Sequence, residues 1–355
     1  MAVSHEIQYF LGANSPTGFY SLYSELLPPE TASVIYILKG GPGCGKSTLM
    51  RQVAQQAAQA GETVEYILCS ADPDSLDAVV LPRLGAALVD GTAPHVVEPK
   101  YPGAVEQYVN LGDCYDRAGL RAIRGEILTC MDGYKEHYQR AYRCLDAAAE
   151  IQTDVRAMLA TPALEDKLAA RAHGILSREL KPKRSAPSGR VKQRFLDAVS
   201  HKGLITLFQT ACAQCTRIYE LSDSYGLAHL LLTHLLAGGV MGGYDVVACP
   251  DPMAPDRLSH LLVPEVGLAF LSASPACPFP GRPSRRLRLD AMVDRELLRR
   301  SRARLRFARK VSSALTGEAV ESLAQAKEAL YNPYVDFDRG QEMADRIAEE
   351  LLALD

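Results

Sequence analysis

A glycine-rich segment, Gly40–Thr48, constrains the fold more than any other part of this sequence. It reads GGPGCGKST and follows Val34–Leu38, a short apolar run rich in β-branched residues. From Leu49 onward, apolar side chains recur at helical spacing. A strand, such a loop and a helix in this order are typical of a phosphate-binding loop, so the pattern predicts a parallel α/β sheet.

The residue types of this loop suit a nucleoside triphosphate bound together with Mg²⁺. Glycines let successive backbone N–H groups point at phosphate oxygens, Lys46 would reach the β and γ phosphates, and the Ser47 hydroxyl would bind Mg²⁺. We therefore expect ATP and Mg²⁺ as ligands. The expected nucleotide-binding residues are Gly41, Pro42, Gly43, Cys44, Gly45, Lys46, Ser47 and Thr48.

An acidic residue at the end of a second apolar strand is expected to help hold the metal. Asp90 follows the run Ala86–Val89 and is the candidate, so the predicted metal ligands are Ser47 and Asp90. The next residue is Gly91, where many ATP-hydrolysing motors have a glutamate that polarises water. This difference argues against fast hydrolysis.

Candidate catalytic bases follow two of the predicted strands, at the edge of the sheet where open parallel sheets bind ligands. They are Asp72, His95 and Glu98, and we predict a catalytic set of Lys46, Asp90 and Glu98. Two groups of arginines at helical spacing could neutralise charge on a transferred phosphoryl group, or could equally form salt bridges on a polar helix face. These arginines are Arg117, Arg121 and Arg124, and Arg295, Arg299 and Arg302.

The two halves of the chain resemble each other at a nearly constant offset. Ile35–Leu38 matches Ile218–Leu221, and the loop then corresponds to Asp223–Leu230, where His229 replaces Lys46. Further matches are Phe10–Ala13 with Phe195–Ala198, Gly18 with Gly203, Val80–Pro82 with Leu262–Pro264, and Tyr115–Arg117 with Val293–Arg295. The sequence therefore predicts one nucleotide site, in the first half, and a second half that has lost the chemistry.

Periodicity predicts an alternating order of strands and helices in each half. In the first half the predicted strands are 6–11, 33–39, 63–69, 84–90 and 107–111, and the predicted helices are 17–27, 46–60 and a hairpin over about 116–180 that breaks at Pro162. In the second half the predicted strands lie near 217–222, 244–248, 266–272 and 285–289, and the predicted helices near 291–330 and 339–354.

These elements predict an α/β protein built from two tandem phosphate-loop domains with parallel sheets, each with a helical extension. The first, residues 1–185, carries the intact loop and the helical hairpin, and the second, residues 186–355, is degenerate. The segment Lys181–Arg190 is the expected linker because it is rich in proline, serine and glycine.

Charge is distributed unevenly along the 355 residues, whose net charge is only −3. Residues 282–310 hold twelve basic and three acidic residues, and residues 178–194 hold seven and one. Such segments could bind nucleic acid or an acidic partner, or could equally be solvated helix faces. No run of 18 apolar residues and no signal-like N-terminus occurs, so we expect a cytoplasmic protein that does not enter a membrane.

With the loop, Cys69–Asp77 and Val89–His95 together, the chain resembles a poorly characterised bacterial family of tandem phosphate-loop ATPases, also described as nucleotide-kinase-like. That resemblance implies ATP binding and the fold of the phosphate-loop nucleoside triphosphate hydrolases. Typical members have two intact loops, whereas this chain keeps one. The leading expectation is a slow, Mg²⁺-dependent ATPase. The alternatives are a nucleotide or small-molecule kinase with the helical hairpin as its lid, and an ATP-gated adaptor for nucleic acid or a protein.

Overall fold

The computed structural model of the protein describes residues 7–28, 30–329 and 337–354. The strands of the first repeat are β1 (Ile7–Tyr9), β2 (Gly12–Ser15), β3 (Gly18–Ser21), β4 (Val34–Lys39), β5 (Glu65–Leu68), β6 (Leu76–Leu81), β7 (Ala86–Asp90) and β8 (Glu106–Asn110). Six of them form a sheet in the order β1-β5-β6-β7-β4-β8, and β2 pairs with β3 in a separate ribbon. Neighbouring strands are parallel, except that β6 is antiparallel to β5 and β7.

The strands of the second repeat are β9 (Val191–Gln193), β10 (Asp197–Ser200), β11 (Gly203–Thr206), β12 (Arg217–Ser222), β13 (Val246–Asp251), β14 (Ala254–Val263), β15 (Leu268–Ala273) and β16 (Arg285–Arg288). Their sheet has the order β9-β13-β14-β15-β12-β16, and β10 pairs with β11. Here β14 is the strand that is antiparallel to its neighbours. Strand for strand, this is the topology of the first sheet, so the α/β fold consists of two tandem copies, as predicted.

The helices are α1 (Lys46–Gln59), α2 (Arg117–Ala122), α3 (Arg124–Leu159), α4 (Pro162–Glu179), α5 (Phe208–Gln214), α6 (Ala228–Met241), α7 (Arg295–Arg300), α8 (Arg302–Glu328) and α9 (Phe337–Leu352). Pro162 breaks the helical hairpin as predicted, because it occupies the first position of α4, where its missing N–H is not needed. Among the described residues, no helix has both the length and the apolar character needed to cross a membrane.

Local details repeat between the two copies at the positions that the sequence matched. Asp116 accepts hydrogen bonds from backbone N–H groups at the start of α2, and Asp294 does the same at the start of α7. Gly18 and Gly203 end equivalent hairpin turns and begin β3 and β11, at φ +103° and +101°. Because a residue with a side chain rarely adopts this backbone conformation, the glycine pair confirms the register of the two copies.

The chain packs into two compact units that are not continuous in sequence. Unit 1 comprises Met1–Ala13, Ser21–Arg140 and Glu321–Asp355, and unit 2 comprises Asn14–Tyr20 and Ala141–Val320. The predicted boundary after residue 185 concerns the sequence repeats and stays a prediction. In the compact units, the last helix of each sequence repeat packs in the unit that contains the sheet of the other repeat.

In unit 1 this helix is α9, which packs against α1. It buries Ala344, Ile347 and Leu351 on one face, and the Tyr36 hydroxyl of β4 donates a hydrogen bond to Glu350 Oε2 over 2.6 Å. In unit 2 this helix is α4, which packs against α6. The equivalent tyrosine of β12 makes the equivalent bond, because the Tyr219 hydroxyl donates to Glu179 Oε1 over 2.6 Å.

Two parts of the expected element order were wrong or incomplete. The predicted helix 17–27 is wrong, because Gly18–Ser21 pairs as a strand and Tyr23–Glu25 forms one 3-10 turn. The elements that were not predicted are β2, β6, β9, β10, β11, β14 and α6. Strand β6 is buried along its whole length, so it shows no alternation of buried and exposed residues that would mark it as a strand. Strand β14 is continuously buried only in its second half.

Candidate functional site

The glycine-rich loop joins the end of β4 to the start of α1. Gly43 and Gly45 have φ values of +72° and +89°, a conformation open to glycine at little cost. Gly40 is required for space, since a Cβ there would lie 2.5 Å from the Sγ of Cys44, which is buried below the loop. The backbone therefore turns tightly, as a cradle for an anion at a helix N-terminus must.

Lys46 is the first residue of α1, and its buried ammonium group lies across this loop. Its Nζ donates to the carbonyl oxygens of Gly40 and Gly41 over 2.7 and 2.9 Å. The same atom lies 3.5 Å from Asp90 Oδ2. A cation held by two neutral carbonyls and one carboxylate can exchange the carbonyls for phosphate oxygens.

Ser47 and Asp90 are brought to the loop from its two sides. Asp90 ends β7 directly beside β4, opposite Leu38. Its Oδ1 accepts hydrogen bonds from the backbone N–H and the hydroxyl of Thr92, which leaves Oδ2 facing Lys46. The Ser47 hydroxyl oxygen accepts from the N–H of Leu76 over 2.9 Å. Asp90 therefore faces Lys46, the residue next to Ser47 in the chain, and Thr48 is exposed on the first turn of α1.

A buried cluster that the sequence did not predict lies beside Asp90. Because β6 is antiparallel to β7, its first residues reach the same edge of the sheet, and this places Asp77 there. The Tyr23 hydroxyl donates to Asp77 Oδ2 over 3.0 Å, and His95 Nε2 lies 3.3 Å from the same oxygen. One ligand atom each from Asp77, Asp90 and His95 lies within 4.8 Å of the others, a donor set that could also hold a divalent metal.

Electrostatics distinguish the proton-holding groups of this cluster. Burial alone would lower the pKa of His95, but the charge and hydrogen bond of Asp77 outweigh it and raise that pKa above the usual 6.5. Burial, with the negative charge of Asp77, raises the pKa values of Tyr23 and Cys69 well above their usual range. Proximity to Asp77 thus raises the pKa values of all three neighbouring groups, His95, Tyr23 and Cys69.

Glu98 lies outside this cluster, in an ion pair at the surface. Its Oε1 accepts a hydrogen bond from Lys39 Nζ over 2.7 Å, and 59% of its side chain is exposed. The hydrogen bonds from Lys39 and Tyr108 lower the pKa of Glu98, which weakens it as a base. Of the three candidate bases, His95 is the one that the structure places next to Asp90. Asp72 follows β5 and forms an ion pair with Lys327.

The glycine after Asp90 is there because the fold leaves no space for a side chain. A Cβ at Gly91 would lie 2.3 Å from Ile37 Cγ2 and 3.2 Å from Lys39 Nζ. A glutamate in this position would have to displace the neighbouring strand or the Lys39 side chain.

In the second copy, the loop is occupied by a carboxyl group of the chain itself. Asp223, at the position of Gly40, directs its carboxylate back into the turn, where it accepts hydrogen bonds from the N–H groups of Leu227 (2.9 Å), Ala228 (2.6 Å) and Tyr225 (3.2 Å). Helix α6 begins at Ala228, five residues after Asp223, whereas α1 begins at Lys46, six residues after Gly40. The helix starts therefore pair Lys46 with Ala228, and the strands pair it with His229. No lysine is present in either register.

The predicted arginines of α2 and α7 are exposed. Arg117 lies 3.7 Å from Asp113, and Arg299 and Arg300 both pair with Glu296. The long basic segment is also partly neutralised, since Arg304 pairs with Asp154 and Arg286 with Glu220. Ion pairs of this kind are typical of solvent-exposed helix and strand faces, the second of the two interpretations that the sequence allowed.

The fold and this site define a tandem α/β protein in which the first copy has a glycine-rich loop with Lys46 lying across it, and the second copy has a loop closed by a carboxylate. Residues 21–173 match a family described as nephrocystin 3, N-terminal. The matched region includes the loop, Asp77, Asp90 and His95. No curated protein and no solved structure matches the chain.

Proposed function

We propose that the first copy binds ATP with Mg²⁺ and hydrolyses it slowly, as its single nucleotide site. The observation that carries this proposal is the contrast between the two loops. In the second copy the Asp223 carboxylate accepts hydrogen bonds from the ring of backbone N–H groups. In the first copy Gly40 supplies no such carboxylate, the Gly41 N–H donates to the Tyr115 hydroxyl, and Lys46 lies across the turn. Backbone amides without an internal carboxylate, together with one ammonium group, suit a polyphosphate.

The donors present also suit Mg²⁺, which prefers oxygen ligands and retains several waters. The Ser47 hydroxyl would bind the metal directly, and the Asp90 carboxylate would hold it through water. Bound Mg²⁺ would neutralise charge on the β and γ phosphates. Lys46 would bind the same phosphates, and Asp77 would orient the His95 ring beside Asp90, where His95 could hold a proton next to the attacking water.

Slow turnover is expected because the usual water-polarising group has no place here. The space around Gly91 excludes a side chain, and Glu98 forms an ion pair with Lys39. The site therefore has strong groups for binding phosphates and weaker ones for activating water.

The test is thermal unfolding with and without ATP and Mg²⁺. If ATP binds only the folded state, a concentration 100 times its dissociation constant should stabilise unit 1 by about 2.7 kcal/mol. Lys46→Ala should lose most of this stabilisation, and Lys100→Ala, which changes an exposed lysine outside the loop, should retain it. An equal ATP-induced shift in Lys46→Ala and the unmodified protein would refute the proposed site.

Labelled γ phosphate distinguishes hydrolysis from phosphoryl transfer to an acceptor. Release of inorganic phosphate in the absence of an acceptor supports an ATPase. Label that moves to an added nucleotide or small molecule supports the kinase alternative instead. An anionic partner for residues 178–194 and 282–310 stays a prediction, and its binding must weaken as salt rises.

A further inference from the structure

The closed second loop has a cationic side chain packed against it. Arg156, near the end of α3, is only 4% exposed, and a Cβ at Gly226 would lie 3.3 Å from its Nη1. Its Nε atom has no hydrogen-bond partner within the described part of the chain. Unit 2 therefore shows a negative group in the N–H ring, from Asp223, and a buried arginine beside the loop.

The repeat assigns an equivalent of this arginine to the first loop. The sequences of α3 and α8 align at an offset of 171 residues. The same offset separates Glu179 from Glu350, the two glutamates that accept the equivalent tyrosine hydrogen bonds. This offset pairs Arg156 with Lys327. It also pairs three buried positions, which are Ala141 with Ser312, Ala148 with Ala319, and Val155 with Ala326.

Lys327 is connected to the first turn of α1 through a series of hydrogen bonds within unit 1. Its Nζ donates to Asp72 Oδ1 over 2.9 Å, and its side chain is 41% exposed. Asp72 in turn accepts from the Ser75 hydroxyl, and the next residue, Leu76, donates its N–H to Ser47. The ammonium group is thus held on the segment that contacts the first turn of α1, on a flexible side chain that can leave Asp72.

We infer that Lys327 contacts the γ phosphate of the nucleotide and stabilises the transition state. Lys327 belongs to the second repeat in sequence and to unit 1 in the structure. This inference rests on the proposed function. In the reaction, a water oxygen forms a bond to the γ phosphorus, and the bond from that phosphorus to the β–γ bridging oxygen breaks. ADP and inorganic phosphate leave, and the water proton passes to the solvent. Lys327 supplies positive charge where negative charge develops, as arginine fingers do in related chemistry.

The experiment compares Lys327→Ala and Lys327→Arg with Lys310→Ala, which changes an exposed lysine on the same helix α8. For each protein, the affinity for Mg²⁺–ADP is measured alone and with aluminium fluoride, which mimics the transferred phosphoryl group, together with kcat for ATP. Lys327→Ala should weaken binding of the aluminium fluoride complex and lower kcat by about tenfold or more, with ADP affinity within about twofold of the unmodified protein. Lys327→Arg should restore most of the loss, and Lys310→Ala should change nothing.

Two results overturn the inference. One is unchanged kcat and unchanged affinity for the aluminium fluoride complex in Lys327→Ala. The other is an equal loss for ADP and for the complex, which would mean that Lys327 only supports the fold; melting temperatures measured in parallel identify that case. Failure of the proposed function is distinct, because the unmodified protein would then bind no nucleotide and Lys46→Ala would have no effect.

Discussion

Replacing Asp223 tests whether its carboxylate closes the second loop. In Asp223→Ala the N–H groups of Tyr225, Leu227 and Ala228 lose their acceptor. Tyr225 is partly exposed, so water can replace that bond, whereas Leu227 and Ala228 are buried. Two buried donors left unsatisfied at about 1–2 kcal/mol each give a local destabilisation of about 2–4 kcal/mol.

Hydrogen exchange followed by mass spectrometry measures this effect where it occurs. At tenfold per 1.4 kcal/mol, amides at the start of α6 should exchange about 30- to 700-fold faster in Asp223→Ala. Asp256→Ala is the matched control, since the Asp256 side chain is 77% exposed and pairs only with the neighbouring Arg257 in the contacts that the structure gives. Its exchange should stay close to that of the unmodified protein.

Inorganic phosphate should reverse part of the loss, because it can take the place of the missing carboxylate. In a Lys46→Ala background, which removes the response of the first loop, phosphate at ten times its dissociation constant should return about 1.4 kcal/mol. Unchanged exchange at Leu227 and Ala228 would refute the reasoning. So would phosphate protection of the same size in the chain that keeps Asp223.

Two further predictions concern buried histidine–aspartate pairs. Asp197 is buried and accepts a hydrogen bond from His260 Nε2 over 2.8 Å, while His260 Nδ1 accepts one from the Ser272 N–H. His260→Ala should therefore cost about 1.5–3 kcal/mol in urea unfolding, while exposed His234→Ala should cost little. A loss below about 1 kcal/mol would contradict a buried hydrogen bond to the Asp197 carboxylate. Burial would raise the pKa of Asp197, but His260 and hydrogen bonds lower it overall, so this stabilisation is present above the carboxyl's unfolded pKa and is lost as pH falls through the folded value. The pKa of His95 is raised, so its pairing with Asp77 should stabilise the protein fully below pH 6.5 and cease to do so as pH rises through the folded value. The difference in unfolding free energy between the unmodified protein and His95→Asn should therefore shrink at alkaline pH, and a difference that grows would contradict this sign.

Features that depend on neighbouring residues in the chain could be predicted from the sequence. The loop Gly40–Thr48 lies between the strand and the helix that its pattern required. The repeat was also readable, because capping aspartates and a turn glycine recur at matched positions. The predicted helix 17–27 shows the limit, since helical spacing of apolar residues does not reveal that Gly18 begins a strand that pairs with β2 across a turn.

Other features of the site arise from contacts between residues far apart in the sequence. Asp77 joins Asp90 because an unpredicted antiparallel strand lies between two parallel ones. Tyr23 reaches the same oxygen from a segment predicted to be helical. The sequence did contain one indication of Asp77, because this residue ends Cys69–Asp77, one of the segments on which the resemblance to tandem phosphate-loop ATPases rests.

The amino-acid order by itself determined that there is a glycine-rich turn with one lysine, that it follows a buried strand, and that the chain is duplicated. These are properties of short segments, whose backbone preferences are set by the residues they contain. Only the tertiary structure decided which helix covers which sheet, that a carboxylate closes the second loop, and that Lys327 pairs with Asp72. Each of these depends on burying apolar surface and pairing charges between distant segments, and no local pattern records that.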